Sequence, residues 1–253
     1  RRLIPSTFGG GVAFFDYNND GFTDLFTVRG KVFSSTSSKP TVTLLKNVDG
    51  KSFEDVTTAM GLSQNTHFNF GIAIADINGD KWLDIYITGL KQNSLYLNQA
   101  GKSFNNITEQ MGVGSEVWSS DASFFDVDQD GDLDLLVGNY VEWSEELDSS
   151  FDDSLNALDV AYSHPNSFNP LALKLYINEY PNRFVDNSKL AGISQSPDGE
   201  IIEGKVLAVQ PVDLNEDGLM DVFVANDTWR NFAFVNQGTG TFLEKAEELG
   251  LAY

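Results

Sequence analysis

The sequence predicts an all-β protein, a β-propeller made of four-stranded antiparallel blades, on the strength of two repeated modules and the strand-like runs around them. The first module is an aspartate-rich nonapeptide present four times. Its copies are Asp16-Tyr-Asn18-Asn-Asp20-Gly21-Phe22-Thr-Asp24, Asp76-Ile-Asn78-Gly-Asp80-Lys81-Trp82-Leu-Asp84, Asp126-Val-Asp128-Gln-Asp130-Gly131-Asp132-Leu-Asp134 and Asp213-Leu-Asn215-Glu-Asp217-Gly218-Leu219-Met-Asp221. The second module is an Asn, a Phe six residues later and a Gly eight beyond that. It occurs as Asn47/Phe53/Gly61, Asn98/Phe104/Gly112, Asn178/Phe184/Gly192 and Asn236/Phe242/Gly250. Spacing inside each module is constant, whereas the gap from the last loop Asp to the module Asn is 23, 14, 44 and 15 residues. A constant frame joined by variable connections is how loops on a repeat scaffold behave.

Strands follow from the runs between these modules. Short apolar runs precede each loop at Val12 to Phe15, Ile72 to Ala75, Ser123 to Phe125 and Val206 to Val212. Others follow it at Leu25 to Val28, Ile85 to Thr88, Leu135 to Val137 and Val222 to Ala225. Each is rich in β-branched and aromatic residues and bounded by turn formers. The second module reads as two further strands joined by a Gly/Asn turn, and Thr241 to Leu249 as an outer strand followed by a helical turn. Four short strands per unit cannot bury both faces alone, so the units must stack, and units of this size fit propeller blades. The expected organisation is one region over 1–253, with repeats at about 8–61, 68–112, 118–192 and 203–250 and an insertion at 144–170.

The loops carry the chemistry. Calcium takes six to eight oxygens from carboxylates, amide carbonyls and backbone. Acidic or amide groups at positions 1, 3, 5 and 9 converge on one centre, and the backbone carbonyl of position 7 completes the set. The expected ligands are therefore Asp16, Asn18, Asp20, Phe22 and Asp24 in the first loop, and Asp76, Asn78, Asp80, Trp82 and Asp84 in the second. They are Asp126, Asp128, Asp130, Asp132 and Asp134 in the third, and Asp213, Asn215, Asp217, Leu219 and Asp221 in the fourth. Glycine at position 6 supplies left-handed backbone. An EF-hand would need a bidentate Glu at position 12, where this chain has Thr27, Ile87, Val137 and Val224 inside strand-like runs. Up to four Ca2+ are expected. The third loop should bind best, because its side-chain ligands are all carboxylates, and the second worst, because Lys81 replaces glycine.

Composition agrees. Against 16 Lys+Arg stand 37 Asp+Glu, a formal charge of −21 that disfavours nucleic acid and anionic membranes. Cysteine is absent, which excludes disulfides, thiolate zinc sites and cysteine nucleophiles. No apolar run of about 18 residues is present, so membrane insertion is not expected. Arg1 is not an initiator Met and opens no signal peptide, the appearance of a processed or partial product.

These residues resemble the FG-GAP/VCBS repeats of integrin α-subunit propellers and their bacterial relatives. They resemble more closely still the cartilage acidic protein (ASPIC/UnbV-containing) family. The stretches carrying this are Phe8-Gly-Gly-Gly-Val-Ala-Phe-Phe-Asp16 with its loop, Asn139-Tyr-Val-Glu-Trp143, Val222-Phe-Val-Ala-Asn-Asp-Thr228 and Glu248-Leu-Gly-Leu-Ala-Tyr253. The resemblance implies a calcium-binding extracellular, cell-surface or periplasmic propeller. Relatives carry more than four repeats and cysteines in the insertion. The chain is therefore expected to be part of a larger ring or to assemble with further chains.

No HExxH, P-loop, GxSxG or dinucleotide fingerprint occurs, and His67 and His164 read as loop residues. No catalytic residue is assigned. The preferred function is an adhesion, interaction or assembly scaffold for a protein or glycan partner. One alternative is a polysaccharide lyase or hydrolase using the insertion face, where Glu142, Glu145, Glu146, Asp148, Asp152, Asp153 and Asp159 cluster in sequence; the other is a purely structural subunit of an extracellular assembly. Alternation of connections in an antiparallel blade puts the insertion on the face opposite the calcium loops. Trp143 and Tyr162 there are expected to contact the partner. Of two glycosylation sequons, Asn106 reads as exposed and Asn226 as structural.

Overall fold

The computed structural model describes all residues except 1, 2, 32, 34–38, 152, 153 and 156–158. It contains four four-stranded antiparallel sheets, each one repeat. The first blade comprises β1 (Val12–Phe15), β2 (Asp24–Val28), β3 (Val42–Val48) and β4 (Ser52–Asp55). The second comprises β5 (Asn69–Ala75), β6 (Asp84–Gly89), β7 (Ser94–Asn98) and β8 (Phe104–Asn106). The third has β9 (Ser119–Phe125) and β10 (Asp134–Asn139), then the insertion with α2 (Glu145–Ser150; α1 is Thr108–Met111, after β8) and a two-stranded hairpin, β11 (Ser154–Leu155) and β12 (Asp159–Val160). It is completed by β13 (Lys174–Glu179) and β14 (Arg183–Asp186). The fourth comprises β15 (Val206–Val212), β16 (Asp221–Asn226), β17 (Phe232–Asn236) and β18 (Phe242–Glu244), followed by the helical turn α3 (Ala246–Leu249).

Alternation along each strand sends side chains to both faces of its blade, and both faces of the inner blades are apolar. The core is therefore a series of seams. Phe26, Leu44 and Leu62 of the first blade meet Ile85, Ile87 and Phe104 of the second. Tyr86, Leu95 and Val113 of the second meet Leu135, Val137 and Phe184 of the third. Leu136, Leu175 and Ile193 of the third meet Val222, Phe234 and Phe242 of the fourth. The innermost strands β1, β5, β9 and β15 pack in that order, and among the described residues no comparable cluster joins the fourth blade to the first. The blades form an open arc.

The second sequence module is the stitching of these seams. Asn98 Nδ2 donates to Tyr17 O of the preceding blade's loop (2.9 Å) and to Leu83 O of its own (3.1 Å). Asn178 repeats this with Ile77 O and Leu133 O, and Asn236 with Val127 O and Met220 O. The backbone carbonyl of the module Phe approaches the module Gly of the blade before, closely at the first and third seams. A Cβ on Gly61 would sit 3.1 Å from Phe104 O, and one on Gly192 would sit 2.6 Å from Phe242 O. Both glycines are also left-handed, at φ +80° and +79°, so position and conformation both demand glycine.

An aromatic cluster of Phe68, Phe70, Trp118, Tyr140, Trp143 and Phe168, joined by Leu3 and Ile4, packs on the face of the blades opposite the nonapeptide loops. Among the described residues no helix is long and apolar enough to cross a membrane.

Candidate metal loops

Each nonapeptide joins the first two strands of its blade, and the same bonds shape all four. The position-1 carboxylate accepts the N–H groups of positions 5 and 6: Asp16 from Asp20 and Gly21, Asp76 from Asp80 and Lys81, Asp126 from Asp130 and Gly131, Asp213 from Asp217 and Gly218. The position-5 carboxylate accepts the N–H of position 7, from Phe22, Trp82, Asp132 and Leu219 at 2.9–3.1 Å. The chain thus winds around its own carboxylates.

Position 6 is left-handed in every loop, as the glycines suggest. Lys81 adopts φ 71° at a cost on the order of 1 kcal/mol. Position 4 is left-handed too, at Asn19, Gly79, Gln129 and Glu216, which the sequence reading missed. In the second loop the glycine has moved from position 6 to position 4. Asn19 and Gln129 use this turn to reach the next loop, donating to Lys81 O (3.1 Å) and Gly218 O (3.3 Å).

Position 9 opens the second strand and is wholly buried in every copy. One oxygen of Asp24, Asp84, Asp134 and Asp221 accepts the N–H of loop position 2. The other accepts the N–H of the module Asn. This brace ties loop to ladder. Burial pushes Asp84 and Asp134 up to about 7 although two backbone donors oppose the shift, and raises Asp24 for the same reason.

The loops differ at position 3. Asn18, Asn78 and Asn215 each donate an amide N–H to the position-5 carboxylate at 2.8–3.0 Å, which partly neutralises the loop from within. In the first loop Lys46 adds an ion pair to Asp20 at 3.3 Å. Despite a desolvation cost, the Phe22 N–H, Asn18 and Lys46 hold Asp20 below its usual value.

The third loop has no such relief. Oxygens of Asp126, Asp128 and Asp130 lie within 4.8 Å of one another, the one such acidic group among the described residues. Beside them Asp132 Oδ1 is buried with no hydrogen-bond donor facing it, and burial followed by repulsion from Asp130 raises Asp132 to about 6. An all-oxygen set of crowded carboxylates with an orphaned buried oxygen fits a hard cation such as calcium. Asp132, expected from sequence to act through its backbone carbonyl, thus also places a side-chain oxygen beside this group.

On the opposite face, the insertion leaves β10 at the end away from the loop. Trp143, expected on a contact surface, is 8% exposed. Its Nε1 donates to Asp148 Oδ2 (2.8 Å), which also accepts Ile4 N–H (2.9 Å), while Asp148 Oδ1 accepts Ser163 Oγ–H. The insertion is strapped to the N-terminal segment and spends Trp143 on packing. Tyr162 remains exposed, and Trp229, which sequence reading did not single out, is 46% exposed on the β16–β17 connection, with Lys205 Nζ 5.6 Å from its ring centroid. Asp152 and Asp153 lie outside the described residues. Asn226 directs Nδ2, the glycosylation atom, to Arg230 O at 2.7 Å, as a structural asparagine does.

Fold and loops together define a repeat protein of propeller blades with acidic loops, one of which gathers three carboxylates that could hold a metal ion. The FG-GAP-like repeat family matches residues 16–87 and 76–137, so the first three loops lie in FG-GAP-like repeats, and the fourth reproduces their geometry. Among solved structures, the chain is similar to an Agrocybe aegerita lectin described for specific recognition of non-reducing terminal N-acetylglucosamine. The match covers 93% of this chain at 16% identity with a TM-score of 0.36, and the chain spans 64% of that lectin's length.

Proposed function

We propose that the protein is a calcium-rigidified extracellular interaction and assembly scaffold of the cartilage acidic protein (ASPIC/UnbV-containing) type. The observation that carries the metal reading is the third loop, with three carboxylates in one 4.8 Å group and the buried Asp132 oxygen left without a donor. The other three loops share its backbone and would bind more weakly, because their Asn amides already serve the position-5 carboxylates. Within each loop, positions 1, 3 and 5 and the carbonyl of position 7 would hold the ion. Position 9 would contribute the lone pairs its two backbone bonds leave over. Calcium supplies charge compensation and rigidity here.

Partner contact belongs to the face opposite the loops, where Tyr162 and Trp229 are accessible aromatics carried on connections rather than on the strand frame. The test is calorimetric titration with Ca2+, followed by glycan and protein arrays with and without it. Heat of binding that is lost in Asp130→Ala, with array binding weakened by Trp229→Ala, is the expected result. No calcium heat at millimolar concentration would overturn the metal reading; calcium-dependent turnover of a polysaccharide would replace the scaffold with an enzyme.

A further inference from the structure

The acidic loops touch one another, and the links between them are uneven. Position 4 of the first loop is Asn19 and that of the third is Gln129, both in left-handed backbone. Asn19 Nδ2 donates to Lys81 O of the second loop at 3.1 Å, and Gln129 Nε2 to Gly218 O of the fourth at 3.3 Å. Each acceptor is the carbonyl of position 6. The second loop has Gly79 at position 4, with no side chain to send to the third. A second contact follows the same division. The turn between the outer strands of the second blade presses on the first loop, where a Cβ on Gly101 would sit 3.0 Å from Asn18 Cα. The same turn of the fourth blade presses on the third loop, where a Cβ on Gly240 would sit 3.3 Å from Asp128 Cβ. In the third blade, whose neighbour is the second loop, this turn holds Pro181 and Asn182 and no glycine.

The acceptor carbonyls lie at the centre of the receiving loops. Gly218 O belongs to the peptide whose N–H, that of Leu219, donates to Asp217 Oδ1 at 2.9 Å. The N–H of Gly218 itself donates to Asp213 Oδ2 at 3.0 Å. Holding this segment therefore orients the carboxylates of positions 1 and 5 and the carbonyl of position 7 together. Lys81 O is placed alike, with the Trp82 N–H on Asp80 Oδ1 at 2.9 Å and the Lys81 N–H on Asp76 Oδ2 at 2.7 Å. On the sending side, Gln129 lies between Asp128 and Asp130, both members of the acidic group of the third loop. Drawing these two carboxylates onto one ion holds the left-handed turn at Gln129 and fixes the direction of its side chain. Repulsion between them works against that turn when the ion is absent.

We propose that the cation loops work as two coupled pairs, first with second and third with fourth, and that Gly79 is the break between the pairs. This rests on the calcium reading above and adds to it which sites help each other. An ion in the third loop arranges the fourth for a second ion through Gln129, and the help is reciprocal because binding free energies are linked. One exposed hydrogen bond sets the size of the effect, about threefold in affinity.

Hydrogen exchange of the full chain along a calcium titration tests it, with the amides of Gly218 and Leu219 reporting the fourth loop, Asp130 and Asp132 the third, and Lys81 and Trp82 the second. Gln129→Gly gives the third loop the residue that the second carries naturally, so the left-handed turn is kept. It should raise the calcium concentration that half-protects Gly218 and Leu219 about threefold. The third loop should still fill, and the second should be unchanged. Gly79→Asn adds the missing link in a left-handed position that Asn tolerates, where a Cβ meets nothing within 4 Å. It should lower the midpoint at Lys81 and Trp82 by a similar factor. A fourth-loop midpoint that does not move in Gln129→Gly, with calcium still protecting the loops, overturns the coupling and leaves the calcium reading standing. Calcium that protects no loop amide in the wild type overturns both.

Discussion

Asn178→Ala tests the stitching role of the module asparagine, with Asn47→Ala as its internal control. Asn178 is buried. Its Nδ2 donates to Ile77 O across the seam (2.9 Å) and to Leu133 O (3.1 Å), and its Oδ1 accepts Tyr180 N–H (2.9 Å). Truncation removes these three bonds and leaves the buried Ile77 carbonyl facing apolar neighbours. At about 1 kcal/mol net per bond, with more for an orphaned buried carbonyl, the loss is about 3–4 kcal/mol. Asn47 keeps the same local bonds, to Thr23 O and from Gly50 N–H, but both are exposed and no seam bond exists. Water replaces them, and the loss should be about 1 kcal/mol or less. Urea unfolding of dilute protein separates the two. With an m of about 3 kcal/mol/M the midpoint should fall by roughly 1 M for Asn178→Ala and by no more than about a third of that for Asn47→Ala. Equal shifts would refute the reasoning, since the asparagine would then act only within its own blade.

Three further outcomes follow from local geometry. Asp132→Asn should raise the melting temperature in chelator, by removing a charge that burial and Asp130 disfavour, and lower calcium affinity; parallel changes in both would show that Asp132 is no ligand. Asp121 is raised by burial despite the Val209 and Ala122 N–H groups, so its charged form is disfavoured in the fold. Wild type should lose stability relative to Asp121→Asn as pH climbs from the unfolded carboxylate value of about 3.9 through the raised folded value, and pH-resolved melting curves should converge at the acid end. Asp148→Ala strands the Ile4 and Trp143 N–H groups and should cost about 3 kcal/mol, visible as loss of near-ultraviolet tryptophan signal before global melting.

The turn of each loop was legible because its constraint is local: nine residues contain the carboxylates and the backbone N–H groups they accept from. Left-handed position 4 escaped notice because Asn, Gln and Glu hold it in three copies and announce nothing, unlike the glycines of position 6. The Asn/Phe/Gly module was visible as a spacing, but its purpose was not. Asn236 meets Val127 O from 109 residues away, and no pattern within one repeat reveals a bond to the previous one. Trp143 was misplaced because exposure depends on how the insertion folds back. A buried carboxylate, Asp148, captured its indole N–H and turned an apparent contact residue into a strap.

Loop and seam share an atom group, and this sets how cation binding would reach the rest of the fold. Loop position 2 gives its N–H to the position-9 Asp of its own blade and its carbonyl to the Asn of the next. Val127, for example, lies between Asp134 Oδ2 at 2.9 Å and Asn236 Nδ2 at 3.0 Å. That same residue sits one position after Asp126, a member of the acidic group. An ion that fixes Asp126 therefore fixes Val127, and with it both the strand frame of the third blade and the outer strands of the fourth. Without the ion, repulsion among Asp126, Asp128, Asp130 and Asp132 works against a peptide that two blades depend on. Loss of calcium should then loosen the third seam before the first, because Asn18 and Lys46 already quiet the loop that Tyr17 serves. Hydrogen exchange at the Val222 and Val224 amides, compared with Ile85 and Ile87, would read that order directly. Protection lost first around Ile85 would mean that loop charge and seam strength are uncoupled.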